Sequence, residues 1–186
     1  LFWLSHQVHI PRIALLDPAS HLTGMAQERM PNAEIYTLYL SDFLALDIPP
    51  FDIVTCLGTI AIFDDLDPVV HDLLSLVAKG GRLIIHEAVN DFGVDVIQKF
   101  RRVRSLGDNA YWEVGLNIWS RETWVHAVHK VNPDAQVTFS DFNMPFGLAP
   151  QPETMRAWTT SVESNPYQLM VGTGQLLNFK LIELSI

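Results

Sequence analysis

A single cysteine, Cys56, in 186 residues leaves no partner for an internal disulfide and no thiol set for a zinc site. No run of about 18 apolar residues is present to span a bilayer as a helix. The opening residues carry no signal-peptide pattern, and no Asn-x-Ser/Thr acceptor for a glycan occurs. Positive charge is scarce: 12 Lys and Arg stand against 21 Asp and Glu, a formal net charge of −9. Such a field repels a phosphate backbone, which argues against a nucleic-acid partner. What the chain does have is apolar content, 48% hydrophobic against 18% charged, enough for a sizeable core in a chain of one domain's length. The expectation is a soluble globular protein of the reduced cytoplasm, with no membrane partner and with self-association into a homo-oligomer left open.

Short apolar runs alternate with helix-length segments. Residues 12–17 read as a buried strand closed by Asp17 and Pro18. Over 20–30, Leu22, Met25, Ala26 and Met30 fall at helical spacing, with Ser20 as the cap and Pro31-Asn32 as the stop. Residues 35–40 and 51–56 have the aromatic and β-branched content of two more strands. Asp67-Pro68 opens a helix with a stripe of Val70, Leu73, Leu74 and Val77, ended by Gly80-Gly81, and 82–87 is a fourth strand. Beyond it the spacing of Val94, Ile97, Phe100, Val103 and Leu106 predicts a helix ending at Gly107. Further expectations are a helix over 122–131, a strand over 136–139, and a loop over 140–168 with one short helix near 154–160. A last, antiparallel strand is expected over 176–184. At the start, Leu1, Leu4 and Val8 share one helical face. The alternation predicts an α/β protein with a mostly parallel sheet, helices on both faces, and a single domain over 1–186.

In parallel α/β sheets ligands bind beyond the carboxyl ends of the strands. The residues there are Asp17, then Ser41-Asp42-Phe43, then Cys56-Leu57-Gly58-Thr59, then His86-Glu87. An acid at a strand end can accept both hydroxyls of a ribose. A second acid followed by an aromatic ring can hydrogen-bond an adenine amine and pack against its face. A glycine lets the backbone approach a ligand closely.

With these residues in view, the sequence resembles the class I S-adenosylmethionine-dependent methyltransferases, from Leu1 to about Asn90. The resemblance rests on Ala14-Leu15-Leu16-Asp17-Pro18-Ala19-Ser20, Ser41-Asp42-Phe43, Phe51-Asp52-Ile53-Val54 and Leu76-Val77-Ala78-Lys79-Gly80-Gly81-Arg82-Leu83-Ile84-Ile85, in that order. It implies a Rossmann-like fold and S-adenosylmethionine as cofactor, held by Asp17, Asp42, Phe43, Cys56, Leu57 and Gly58. Thr59 and Phe63 would then lie beside the acceptor, with Trp112 and Trp119 among the walls of its pocket. The family's Gly-rich loop after its first strand is not in the sequence. Counting back from Asp17 puts its last glycine at or just before Leu1. Residues 1–8 therefore resemble the helix that follows the loop, and a longer protein carrying the loop and first strand upstream is expected. Without that strand, two edges and an apolar slot would stand open.

Each assignment has a plainer competitor. Asp17 can be a helix-flanking acid, Asp42 a cap, Phe43 a core ring, and Cys56 a small buried hydrophobe. His86-Glu87-Ala88-Val89-Asn90 departs from the zinc-peptidase pattern at its last position and follows a strand. His86 is the candidate general base, since imidazole titrates near neutral pH, but it and Glu87 must face opposite sides of a strand. His6/His9 and His126/His129 lack an evident third ligand, so no metal is expected. Lys99, Arg101, Arg102 and Arg104 read as a solvated face. Trp112, Trp119, Trp124 and Trp158 would suit a flat apolar acceptor. The expected function is methyl transfer to a small-molecule O, N or C acceptor. The alternative is a non-catalytic methyltransferase-like subunit acting as a scaffold with a partner chain. A nicotinamide dehydrogenase shares the ribose acid but not Asp42-Phe43.

Overall fold

The structure, a computed structural model, describes residues 6–102, 111–153 and 155–186. The chain divides into two compact units, Leu1–Pro49 and Pro50–Ile186. Leu1 and Leu4 of the expected first helix lie outside the described residues.

In the first unit, β1 (Ala14–Leu16) and β2 (Glu34–Tyr36) pair in parallel, Ala14 opposite Glu34 and Leu16 opposite Tyr36. The helix α1 (Ser20–Arg29) connects them, and a short α2 (Leu40–Leu44) follows β2. The cap position of α1 is Ala19, one residue ahead of the expected Ser20. The turn is set by Asp17, whose Oδ1 accepts the Ala19 N–H at 2.8 Å. β2 stops at Tyr36, opposite Leu16, where its partner β1 ends ahead of Asp17-Pro18. The Thr37 hydroxyl meets that of Thr23 at 2.8 Å, and Leu40 already opens α2.

The second unit opens with β3 (Phe51–Leu57), a 3-10 turn (Ile60–Ile62), α3 (Leu66–Ser75) and the long β4 (Val77–Asn90). The small strands β5 (Lys99–Phe100), β6 (Glu113–Val114) and β7 (Trp119–Ser120) follow, then α4 (Arg121–Val131) and β8 (Gln136–Asp141). A hairpin of β9 (Trp158–Val162) and β10 (Asn165–Met170) leads to β11 (Leu176–Leu177) and β12 (Phe179–Ser185). The main sheet runs β3-β4-β12-β8, with β7 added beside the end of β4. β3 and β7 are parallel to β4, whereas β12 is antiparallel to both β4 and β8. The expected α/β architecture with its antiparallel C-terminal strand is thus present. α3 packs on β4 and on α4. The core is drawn from Leu83, Ile85 and Val89 of β4, Ile182 and Leu184 of β12, Val70 and Leu74 of α3, and Trp124 and Val128 of α4. Each such side chain stabilises the fold by about 1.5–3 kcal/mol on burial.

Several element boundaries differ from expectation. α3 begins at Leu66, ahead of Pro68, because the Asp65 side chain accepts the Asp67 N–H at 3.1 Å and caps it. It ends at Ser75, and Gly80-Gly81 belong to β4, where the pairing with β3 slips between Phe51 and Ile53. The helix expected from Asp91 is not formed over 91–102. Instead Val96 and Ile118 exchange two backbone hydrogen bonds of 2.8 Å, and β5 pairs antiparallel with β6. Val103, Leu106 and Gly107 lie outside the described residues. The short helix expected near 154–160 is replaced by β9, whose Thr159, Thr160 and Val162 suit an extended chain; Thr154 is outside the described residues. The expected last strand is divided, with β11 joining β10 and β12 joining β4 and β8.

Candidate functional site

At the carboxyl end of β3 the chain turns through Gly58 into the 3-10 helix. Gly58 sits at φ +70°, a left-handed conformation that favours glycine, and its N–H donates to His86 O at 2.9 Å. No atom lies within 4 Å of the place a Cβ would occupy, so the backbone is open there. Two interior side chains hold the loop that follows. Glu87, only 4% exposed, accepts the Ile60 N–H at 2.5 Å. Asn117, 2% exposed, donates from Nδ2 to Phe63 O at 2.7 Å, and its own N–H reaches Ala61 O at 2.9 Å. The Asn117 Oδ1 accepts the Gln98 N–H at 2.8 Å, tying the extended segment beside β7 to the same loop.

Burial raises the pKa of the Glu87 carboxyl, while the amides of Ile60, Ala61, Thr59 and Ala88 oppose the shift by favouring its charge. Cys56 is pushed up to about 12, first by burial and second by the neighbouring Glu87 charge, so it is a protonated thiol at neutral pH. Asp91, the first residue past β4, receives hydrogen bonds from Arg121 and from Asn178 Nδ2, the latter at 2.6 Å. It also pairs at 3.1 Å with buried Lys180, which meets Asp141 at 2.6 Å. Burial would raise the Asp91 carboxyl, but its hydrogen bonds to Arg121 and Lys180 win and hold it below its ordinary range.

His86 faces the other side of β4. Its ring stacks on Phe179 at 4.8 Å and meets the edge of Phe142 at 4.5 Å, and Nε2 is buried without a hydrogen-bond partner. Burial lowers its pKa. The expected base thus packs between two aromatic rings, on the face of β4 opposite Glu87. Trp119 is 8% exposed within β7, opposite Val89 of β4, so it anchors the sheet. Trp112 is 61% exposed, with the Arg101 guanidinium 5.0 Å from its ring centre. Thr59 is exposed and Phe63 partly so, at the outer edge of the loop.

In the first unit, Asp17 follows β1 directly. Its N–H donates to Tyr36 O at 3.2 Å, and one carboxylate oxygen is engaged by Ala19. Asp42 is exposed in the first turn of α2. Phe43 is buried, its ring meeting that of Tyr36 edge-on at 4.9 Å, which gives it a packing role in this unit.

No family model matches the chain, and no curated protein matches it. Solved structures do. A methyltransferase from Methanosarcina mazei, S-adenosylmethionine-dependent by its description, superposes with a TM-score of 0.57 at 8% identity, over 94% of this chain and 81% of that one. The complex of DhpI with S-adenosylhomocysteine gives 0.56 at 14% identity, over 98% and 70%. The glycopeptide N-methyltransferase MtfA bound to S-adenosylmethionine gives 0.52 at 12% identity, over 93% and 71%. The fold is that of the class I S-adenosylmethionine-dependent methyltransferases. At these identities the likeness is one of fold.

Within the methyltransferase fold, the second unit brings Cys56, Leu57, Gly58, Thr59 and Phe63 together around one strand end. Trp119 is in the sheet and His86 is on the opposite face. The residue pattern alone points to His86 rather than Glu87 and does not single out Asn117. A signal for Asn117 did exist, a carboxamide inside the apolar run Leu116-Asn117-Ile118-Trp119. Among the described residues no group of three or more His, Cys, Asp or Glu is arranged to hold a metal ion, and no helix is long and apolar enough to cross a membrane.

Proposed function

We propose that the chain transfers the methyl group of S-adenosylmethionine to an O, N or C nucleophile of a small molecule. The observation that carries this reading is chemical: in a methyltransferase fold, an acid and an open glycine stand directly past two strand ends, where α/β sheets bind ligands. In the first unit the assigned cofactor residues are Asp17 for ribose hydroxyls and Asp42, next to Phe43, for the adenine amine. The fit is supported by Asp17 having a second oxygen beyond the one that accepts the Ala19 N–H. In the second unit they are the backbone of Cys56 and Leu57 and of Gly58, whose Cβ side is open. When bound, S-adenosylmethionine supplies an electrophilic methyl on a sulfonium. The task left to the protein is alignment of the acceptor and exclusion of water, for which no shared acid or base is needed. Thr59 and Phe63 are assigned to the acceptor, with exposed Trp112 as an added wall. No residue is assigned as base. The net charge of −9 favours a small-molecule acceptor over nucleic acid.

Calorimetric titration of the intact protein, with whatever precedes Leu1, by S-adenosylmethionine tests this. Asp17→Ala should weaken binding by about 1.5–3 kcal/mol, the range for lost charge-assisted hydrogen bonds, while the loss of the Ala19 N–H acceptor lowers stability by about 1 kcal/mol and leaves unfolding cooperative. Equal affinity in a folded variant removes Asp17 from the site. Absence of any binding by the wild type overturns the enzyme reading and favours the scaffold.

A further inference from the structure

We propose that Glu87 and Asn117 are positioning residues that fix the loop of residues 59–64, and through it the acceptor side of the methyl-transfer site. The inference rests on the methyl-transfer reading above. Two polar side chains with almost no solvent exposure send hydrogen bonds to one short loop, from two distant parts of the chain. Glu87 of β4 takes the Ile60 N–H at one end, and Asn117, ahead of β7, holds Phe63 O at the other. The Asn117 backbone adds a bond to Ala61 O between them. A carboxylate or carboxamide in the interior is costly without partners, so each end of this clamp depends on the loop lying where it does.

The arrangement separates the loop's two sides. Its backbone is gripped from within, with Ile60 fully buried, while Thr59, Ile62 and Phe63 stand at the surface. Side chains that meet a ligand are held to a productive geometry when the backbone beneath them is locked by interior hydrogen bonds. In-line displacement on a bound methyl is sensitive to such placement, because misalignment of the acceptor raises the barrier directly. Neither Glu87 nor Asn117 reaches the surface to touch an acceptor, so both act through the loop.

Backbone amide hydrogen exchange in the full chain, with calorimetric titration of S-adenosylhomocysteine, tests this. Glu87→Gln keeps one carbonyl acceptor but turns an amide toward the loop, and Glu87→Ala keeps none. Exchange at Ile60 and Ala61 should rise at least about tenfold in Glu87→Gln and further in Glu87→Ala, with the amides of α3 and α4 unchanged. Asn117→Asp keeps the acceptor for Gln98 and loses the donor to Phe63. It should speed exchange across 60–63 while the Gln98 amide stays protected, and it carries the test if Glu87→Ala fails to fold. In every folded variant the affinity for S-adenosylhomocysteine should stay within about twofold of wild type. Wild-type exchange across the loop in both Glu87→Gln and Asn117→Asp overturns the clamp. Faster loop exchange with affinity lost about tenfold or more places the loop on the donor side and overturns the acceptor assignment. A wild type that binds no S-adenosylhomocysteine overturns the methyl-transfer reading, and the acceptor role with it, while the exchange data still judge the clamp.

Discussion

His86 and Glu87 are neighbours in sequence, and β4 turns them to opposite sides. That they must part was legible, because side chains alternate along a strand. Which of them serves the loop was not, since it depends on what covers each face: Phe142 and Phe179 on one side, the amides of 59–61 on the other. The same limit hid Asn117, whose partner Phe63 is 54 residues away. Burial of the His86 ring has a measurable result. Its pKa lies below the ordinary value near 6.5, so the folded protein favours the neutral ring. The stability this contributes is complete above the unfolded pKa and is lost as pH falls through the folded one. Urea midpoints compared at about pH 7.5 and about pH 5 should drop more for wild type than for His86→Phe, which keeps a ring between the two phenylalanines. An equal drop in both proteins would show that the imidazole carries no part of the acid sensitivity.

Elements were legible where period, caps and breakers agreed. The strands β1, β3 and β8 and the helices α1 and α4 fall close to their expected places because each has its own apolar run and a Pro, Asn or Gly breaker near one end. The segment from Asp91 failed because Val94, Ile97 and Phe100 have helical spacing while Val96 finds Ile118, a partner that only the fold supplies. The Gly80-Gly81 pair also reads differently in place. It lets β4 slip its register against β3, and a Cβ on Gly81 would lie 2.7 Å from Asp52 O and 2.8 Å from Ala78 O, both backbone atoms. Gly81→Ala should therefore cost about 1–3 kcal/mol, the range for overpacking. Gly24, inside α1 with nothing within 4 Å of its Cβ position, should behave oppositely. Gly24→Ala is expected to stabilise by about 0.5–1 kcal/mol through helix propensity. Urea unfolding of both variants checks the pair, and a Gly81→Ala protein as stable as wild type would show that the bulge relaxes freely.

For the molecule as a whole, the α/β class and the antiparallel final strand could be read from the order of elements. The place of that strand could not. β12 lies between β4 and β8, with Ile182 and Leu184 fully buried. No local pattern states this, because pairing order is set by tertiary packing. Deleting residues 179–186 should open an edge on each neighbour and abolish cooperative thermal unfolding of the second unit. A sharp melting transition in the shortened chain would show that β4 and β8 do not depend on it.

The central position of β12 also bears on how the protein is made. Both strands that flank it are synthesised earlier, β4 by 97 residues in the register Ile85 to Ile182. A nascent chain on the ribosome must carry two unpaired strand edges until β12 emerges. Such edges invite pairing with other chains, and contacts of this sequence separation close slowly. Yield in the cell should accordingly depend on chaperone supply and on how fast translation delivers β12, more than on the stability of the finished sheet.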